Sequence, residues 1–94
     1  MTLLNRLLNP TVPQSWLSSQ KEAYLLRSQL YQKLGQSPQA VADLTVVIGI
    51  DPAHVQALLM RGKLHRELLQ GHLAKEDFEQ ACILGSSAAC EQLP

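Results

Sequence analysis

The chain has 94 residues, a formal net charge of zero and 46% hydrophobic residues. This length allows one domain with a modest core, and the hydrophobic content excludes wholesale disorder. Nucleic-acid binding needs a surplus of Lys and Arg that the composition lacks, so we expect no nucleic-acid partner. No apolar run approaches the roughly 20 residues of a membrane span, and the stretch MTLLNRLLNP is too short for a signal peptide. We therefore predict a cytoplasmic protein with no membrane span.

Residues 1–18 predict a short flanking helix followed by a linker. Four leucines at helical spacing form an apolar stripe before Pro10 ends the helix. These are Leu3, Leu4, Leu7 and Leu8. Trp16 and Leu17 are expected to anchor the segment over the elements that follow. If the helix does not fold back, its leucines can dock on another copy of the chain or on a partner.

Two helical units follow, and the second repeats the first. At an offset of 34, residues 21–54 align with residues 55–88 without a gap. Self-similarity at a fixed period of this length is the signature of a repeat architecture. The identical pairs are Ala23/Ala57, Leu25/Leu59, Arg27/Arg61, Leu30/Leu64, Leu34/Leu68, Gln36/Gln70, Ala40/Ala74 and Asp43/Asp77.

Local signals divide the first unit into two helices. Ser19 and Glu22 have capping-box spacing at the start of the first helix, and Gly35 ends it. Ser37 is expected to cap the second helix, with Pro38 at its first position, where the missing N–H costs nothing. The first unit is therefore predicted to be a helical hairpin.

The second unit follows the same plan. Its helices are predicted over roughly residues 53–70 and 72–84. Ser86 or Ser87 is expected to cap a last helix, over residues 88–93, that covers the second unit. We divide the single domain into a flanking segment (1–18), repeat 1 (21–54), repeat 2 (55–86) and a C-terminal cap (87–94).

This pattern over about residues 21–86 resembles the tetratricopeptide-repeat (TPR) family. The residues that carry the resemblance are Tyr24, Tyr31, Gly35, Ala40 and Pro52 in the first unit and Arg61, Gly62, Ala74, Phe78 and Ala81 in the second. His65, Leu69 and Ser86 depart from the family pattern and give the second unit the character of a terminal repeat. The resemblance implies an all-α fold of TPR-type α-α hairpin repeats, a short right-handed solenoid with N-terminal and C-terminal capping helices.

The same resemblance implies where a partner binds. In TPR folds the first helices of the repeats line the concave surface on which partners dock. Six of the eight basic residues fall on these predicted helices, namely Lys21, Arg27, Lys33, Arg61, Lys63 and Arg66. By this resemblance the groove is lined by Leu25, Gln29, Gln32, Leu59, Lys63 and Arg66. Leu25 and Gln29 stand where the family's chaperone-tail clamp has Lys and Asn, so we do not expect binding of chaperone tails. The groove is instead expected to be apolar with a basic edge, which favours an acidic-apolar peptide or helix of another protein.

The histidines and cysteines do not form a metal motif. His54, His65 and His72 make no i, i+4 pair, and Cys82 and Cys90 make no CxxC, so no metal or cofactor is expected. We interpret His65 as a buried or half-buried substitute for tyrosine. The two cysteines fit a reduced compartment, with Cys82 packed inward, although Cys90 can meet Cys82 if the last helix turns back.

No catalytic constellation occurs, and we predict that the chain is not an enzyme. It has no Gly-rich phosphate loop and no nucleophile motif, and the acidic residues of the last repeat helix are interpreted as a solvated face. These are Glu76, Asp77 and Glu79. The first functional hypothesis is a small adaptor or assembly factor. The alternatives are a self-associating structural subunit joined through the N-terminal leucine stripe, and a thiol-dependent redox regulator that uses Cys90.

Overall fold

A computed structural model describes the backbone of residues 14–93 and the side chains of residues 20–93. The described residues form five helices and no strand, which confirms the all-α prediction. The helices are α1 (Gln14–Lys33), α2 (Ser37–Ile50), α3 (Val55–Glu67), α4 (Gly71–Ile83) and α5 (Ser87–Glu91). None of these five helices is both long and apolar enough to cross a membrane. The predicted stripe of Leu3, Leu4, Leu7 and Leu8 lies outside the described residues.

The start of α1 differs from the prediction. The helix begins at Gln14, so Ser19 and Glu22 lie inside it and the predicted capping box is wrong. No Gly or Pro interrupts the sequence between Gln14 and Lys33, so nothing stops the helix from extending to Gln14. Trp16 and Leu17 therefore belong to a continuous helix.

The observed N-cap residues agree only in part with those predicted from the sequence. The N-cap of α2 is Gln36, which makes no side-chain cap hydrogen bond, so the predicted cap at Ser37 is wrong by one residue. Pro38 lies in the first turn, where its missing N–H has no partner to lose. At α3, the His54 ring Nδ1 accepts the Ala57 N–H at 3.1 Å. Ser86 caps α5 as predicted, because its hydroxyl accepts a backbone N–H in the first turn.

The helices pack in adjacent pairs, α1 with α2 and α3 with α4, and α2 also contacts α3. Two apolar clusters result. The first joins α1, α2 and α3 and contains Leu25, Ala40, Leu44, Val47, Ala57 and Leu64. The second joins α3, α4 and α5 and contains Leu58, Ala74, Phe78, Ala81 and Ala89. Because α3 contributes to both clusters, the two hairpins share one helix in their cores.

Helices α3 and α4 approach each other closely at Gly62. A Cβ atom at this position would lie 2.8 Å from Cε1 of Phe78, so a side chain there would force the ring to move. The equivalent residue of the first repeat is Ser28, which is fully buried and whose hydroxyl donates to the Leu25 carbonyl at 2.6 Å. Both repeats thus have a small buried residue at this position of the first helix.

A disulfide joins Cys82 of α4 to Cys90 of α5, with the two Cα atoms 4.8 Å apart. The sequence favoured a reduced compartment but left this pairing open, and the structure has the paired form. The reason is that α5 turns back onto α4, where Ala89 is fully buried in the second cluster and places Cys90 beside Cys82. The cysteines therefore no longer support a cytoplasmic location, which stays a prediction.

Candidate partner-binding site

One buried ion pair joins the two helices of each hairpin, with the same geometry in both repeats. Arg27 of α1 donates through Nε and Nη2 to the two carboxylate oxygens of Asp43 at 2.8 and 2.7 Å. Arg61 of α3 makes the same two bonds to Asp77, at 2.8 and 2.7 Å. The carboxylates are almost fully buried, with 5% and 6% of their side-chain surfaces exposed. The interpretation of Asp77 as part of a solvated face is therefore wrong.

These pairs carry a sequence signal that the repeat alignment did not use. Arg27 and Asp43 are 16 residues apart, and each lies eight residues from Gly35 in the turn between their helices. Residues equidistant from a tight turn face each other when the two helices run antiparallel. Arg61 and Asp77 have the same spacing around Leu69, so the symmetry about each turn predicts both pairs.

The guanidinium of Arg27 also lies near two aromatic rings of its own helix. Its guanidinium carbon lies 5.5 Å from the centroid of Tyr24 and 5.7 Å from that of Tyr31. The hydrogen bond to Asp43 is the main cause that raises the pKa of Arg27 above its ordinary value, against an opposing effect of burial. This arginine is therefore a fixed structural charge inside the hairpin.

Two of the other basic residues of the first repeat helices also contact their own chain. The Lys21 ammonium lies 3.3 Å from a carboxylate oxygen of Asp51, and Arg61 donates a further bond to the Thr45 hydroxyl at 3.2 Å. Together with Arg27, three of the six basic residues of the first helices are thus neutralised by internal carboxylates. The sequence count overstated the positive charge available to a partner.

His65 is buried, as predicted, with 8% of its surface exposed. Its Nδ1 lies 2.7 Å from Oε1 of Gln70, and its Nε2 lies 3.8 Å from a carboxylate oxygen of Asp77. Within the described part of the chain, no three His, Cys, Asp or Glu side chains form a group that could hold a metal ion. His65 therefore packs against the ion pair of the second hairpin.

The predicted groove residues of α1 divide between core and surface. Leu25 is only 8% exposed and packs in the first cluster, so the expectation that it faces the groove as an anchor is corrected. The alignment equated it with Leu59, but periodicity alone does not tell a core position from a neighbouring surface position. Gln29 is half-buried, and Gln32 is exposed near the end of α1.

The three predicted residues of α3 share one face of that helix. Leu59, Lys63 and Arg66 follow one another at spacings of four and three residues, which places them one turn apart in succession. Leu59 is half-buried against the second cluster, whereas Lys63 and Arg66 are exposed. Lys63 has no ion pair among the residues that the structure describes. As a partner-binding site, this face stays a prediction.

Arg66 stands at the edge of a pocket that the sequence did not indicate. Its Nη1 donates to Oε1 of Gln92 at 2.5 Å, and its guanidinium carbon lies 5.5 Å from the ring centroid of Phe78. The pocket has a volume of about 210 Å³ and is mainly apolar inside. Its lining residues are Arg66, Gly71, Ala74, Lys75, Phe78, Gln92 and Leu93. Sequence reasoning missed it because the pocket depends on where α5 and Leu93 pack.

Comparison with known proteins gives one informative match. The human protein named "Tetratricopeptide repeat protein 34" is 34% identical to this chain over 76 residues, which are 81% of the chain. The chain spans only 13% of the length of that protein. No protein-family model matches the chain, and no solved structure matches it significantly. The chain is thus similar to part of a protein that is named for tetratricopeptide repeats, in agreement with its paired helices.

Proposed function

We propose that the chain is a non-catalytic protein-interaction module of the TPR type, an adaptor or assembly factor that binds a peptide or helix of another protein. The observation that carries this proposal is the face of α3 formed by Leu59, Lys63 and Arg66. It combines a half-buried apolar side chain with two exposed cations, one turn apart. A ligand with apolar anchors and nearby carboxylates matches that combination.

Two further observations support a binding role. The similarity to a tetratricopeptide-repeat protein covers most of the chain, and such repeats present helix faces to other proteins. The deeper cations, Arg27 and Arg61, are already paired with buried carboxylates. The side chains left to meet an acidic ligand on α3 are therefore Lys63 and Arg66.

Selection from a random phage-displayed peptide library on the full chain tests the proposal. We expect enrichment of peptides that combine Leu, Ile or Phe with Asp or Glu. The double variant K63E/R66E should weaken their binding at least roughly tenfold at low salt, with a smaller loss at high salt because exposed charges are screened. Lys33 is also exposed but lies outside the predicted groove, so K33E is the matched control. Selected peptides that bind K63E/R66E and K33E equally well would contradict the proposal.

A self-associating structural subunit is the second candidate, and exposed leucines on α1 favour it. Leu26, Leu30 and Leu34 are 60%, 45% and 69% exposed. Their equivalents in the second repeat are Met60, Leu64 and Leu68, which are half-buried or buried. An apolar stripe that a neighbouring helix covers in one repeat is thus open in the other. Solution mass measured over a range of concentrations tests this role, because a constant mass of 10.4 kDa would exclude it.

A further inference from the structure

The pocket beside Arg66 corresponds to a surface that is buried in an apolar cluster in the first repeat. Its floor residues Ala74 and Phe78 are equivalent to Ala40 and Leu44 of the first repeat. Ala40 and Leu44 are both fully buried, in a cluster that includes Leu64 of α3, itself 0% exposed. On the same face of the second repeat, the pocket of about 210 Å³ has room for a leucine-sized side chain.

The charges around this surface differ between the repeats. Lys75 replaces Val41, and Arg66 replaces Gln32, so two cations border the pocket where the first repeat has uncharged side chains. An apolar helix laid over this face, as α3 lies over α2, would strip water from the Lys75 ammonium without giving it a partner. An occupant that carries a carboxylate avoids that cost.

Both cations are available to a ligand. Lys75 lies 3.9 Å from Glu79, and the two side chains are 60% and 48% exposed, so this pair contributes little. Among the described side chains, Arg66 donates only to Gln92, which leaves other guanidinium N–H groups for a carboxylate. The bond to Gln92 and the Phe78 ring below hold the guanidinium at the pocket edge before any ligand arrives.

We propose that this pocket binds a leucine-sized apolar side chain of a partner peptide whose neighbouring residue places a carboxylate between Arg66 and Lys75. The inference rests on the proposed peptide-binding function and adds to it a defined subsite, built by α3, α4 and the two residues that follow α5. The ligand class is an acidic-apolar peptide, with the apolar side chain inside the pocket and the acidic one at its rim.

Backbone amide NMR with short blocked peptides tests the subsite on the full chain. The probe is acetyl-Leu-Glu-amide, and the matched controls are acetyl-Leu-Gln-amide and acetyl-Ser-Glu-amide. We expect saturable shifts at Ala74 and Phe78 with the first probe, and weaker binding of both controls. K75V, which restores the residue of the first repeat, and R66Q should each raise Kd for the first probe roughly three- to fivefold. K33Q, away from the pocket, should leave Kd unchanged.

The outcomes separate the subsite from the general binding function. The subsite is overturned if acetyl-Leu-Glu-amide gives no saturable shifts at Ala74 and Phe78, or binds no better than its Gln counterpart. If library-selected peptides respond to a Lys63 reversal but not to K75V, the subsite falls and the binding function stands. If the library yields no peptide, the peptide-binding proposal falls, and saturable binding of the probe would then show a pocket for a small acidic-apolar ligand and not a peptide subsite.

Discussion

Leu69 adopts the left-handed backbone conformation of Gly35, its counterpart 34 residues earlier, with φ of 60° against 74°. Each residue lies in the turn between the two helices of its repeat. Glycine enters this region at no steric cost, whereas a side chain with a Cβ is strained there. Leu69 is 93% exposed, so burial of its side chain does not offset the backbone strain.

Replacement of Leu69 with glycine should therefore stabilise the fold. Relief of the strain, less the entropy that glycine loses on folding, should leave a net gain of about 0.5–1 kcal/mol. For a domain of this size that corresponds to a rise in melting temperature of roughly 2–8 °C, measurable by circular dichroism. Gly35→Ala is the reverse control and should lower the melting temperature. A lower melting temperature for L69G would contradict the strain argument.

Loss of one partner from a buried ion pair should destabilise the second hairpin strongly. Asp77→Asn removes the charge that faces Arg61 and leaves the guanidinium unpaired, at a cost of about 3 kcal/mol in the free energy of unfolding. Glu79→Gln, on the exposed side of the same helix, should change it by less than about 0.5 kcal/mol. Urea unfolding of both variants measures the difference. Equal unfolding midpoints would show that the pair does not contribute.

The contact between Gly62 and Phe78 should respond as a coupled pair. Gly62→Ser alone places a side chain against the ring and should cost about 1–3 kcal/mol. The first repeat has Ser28 and Leu44 at the equivalent positions, so the double variant G62S/F78L transfers that combination to the second repeat. Its cost should be smaller than the sum of the two single costs by at least about 0.5 kcal/mol in a double-mutant cycle. Strict additivity would show that the two side chains do not compete for space.

The disulfide should stabilise the C-terminal cap. Cys90 is exposed, so Cys90→Ser removes the covalent link with little change in packing. The disulfide closes a loop with a sequence separation of eight residues. In the chain-entropy account, removal of a cross-link over a loop of this length should lower the free energy of unfolding by about 2–3 kcal/mol. The melting temperature of C90S should match that of the wild-type chain in reducing buffer. If C90S instead melts like the oxidised wild-type chain, the link does not contribute to stability.

The repeat could be predicted because its signals are local. The period of 34 residues and the glycine at position 35 indicate a hairpin and its copy without knowledge of any tertiary contact. The same reasoning treated Asp77 as a surface residue, because single-helix patterning counts a carboxylate as solvated unless its partner is known. The partner lies on the other helix, and only the symmetry about the turn points to it.

The candidate site was less accessible to prediction for a different reason. Leu59, Lys63 and Arg66 could be placed on one helix face from their spacing alone. The pocket beside Arg66 depends on Gln92 and Leu93, whose positions follow from the packing of α5 on α4. Helical periodicity describes one element at a time, so it cannot predict a cavity that forms between several elements.

Arg61 links the two hairpins as well as the two helices of its own hairpin. It binds Asp77 within the second repeat and donates to Thr45 of the first, while α3 supplies side chains to both apolar clusters. Separation of the hairpins would therefore break a polar bridge, open the first cluster and remove Ile48 of α2 from its contact with the second. Within residues 20–93, opening of either repeat would thus remove contacts from the other. Unfolding should thus be cooperative over both repeats, as a single transition.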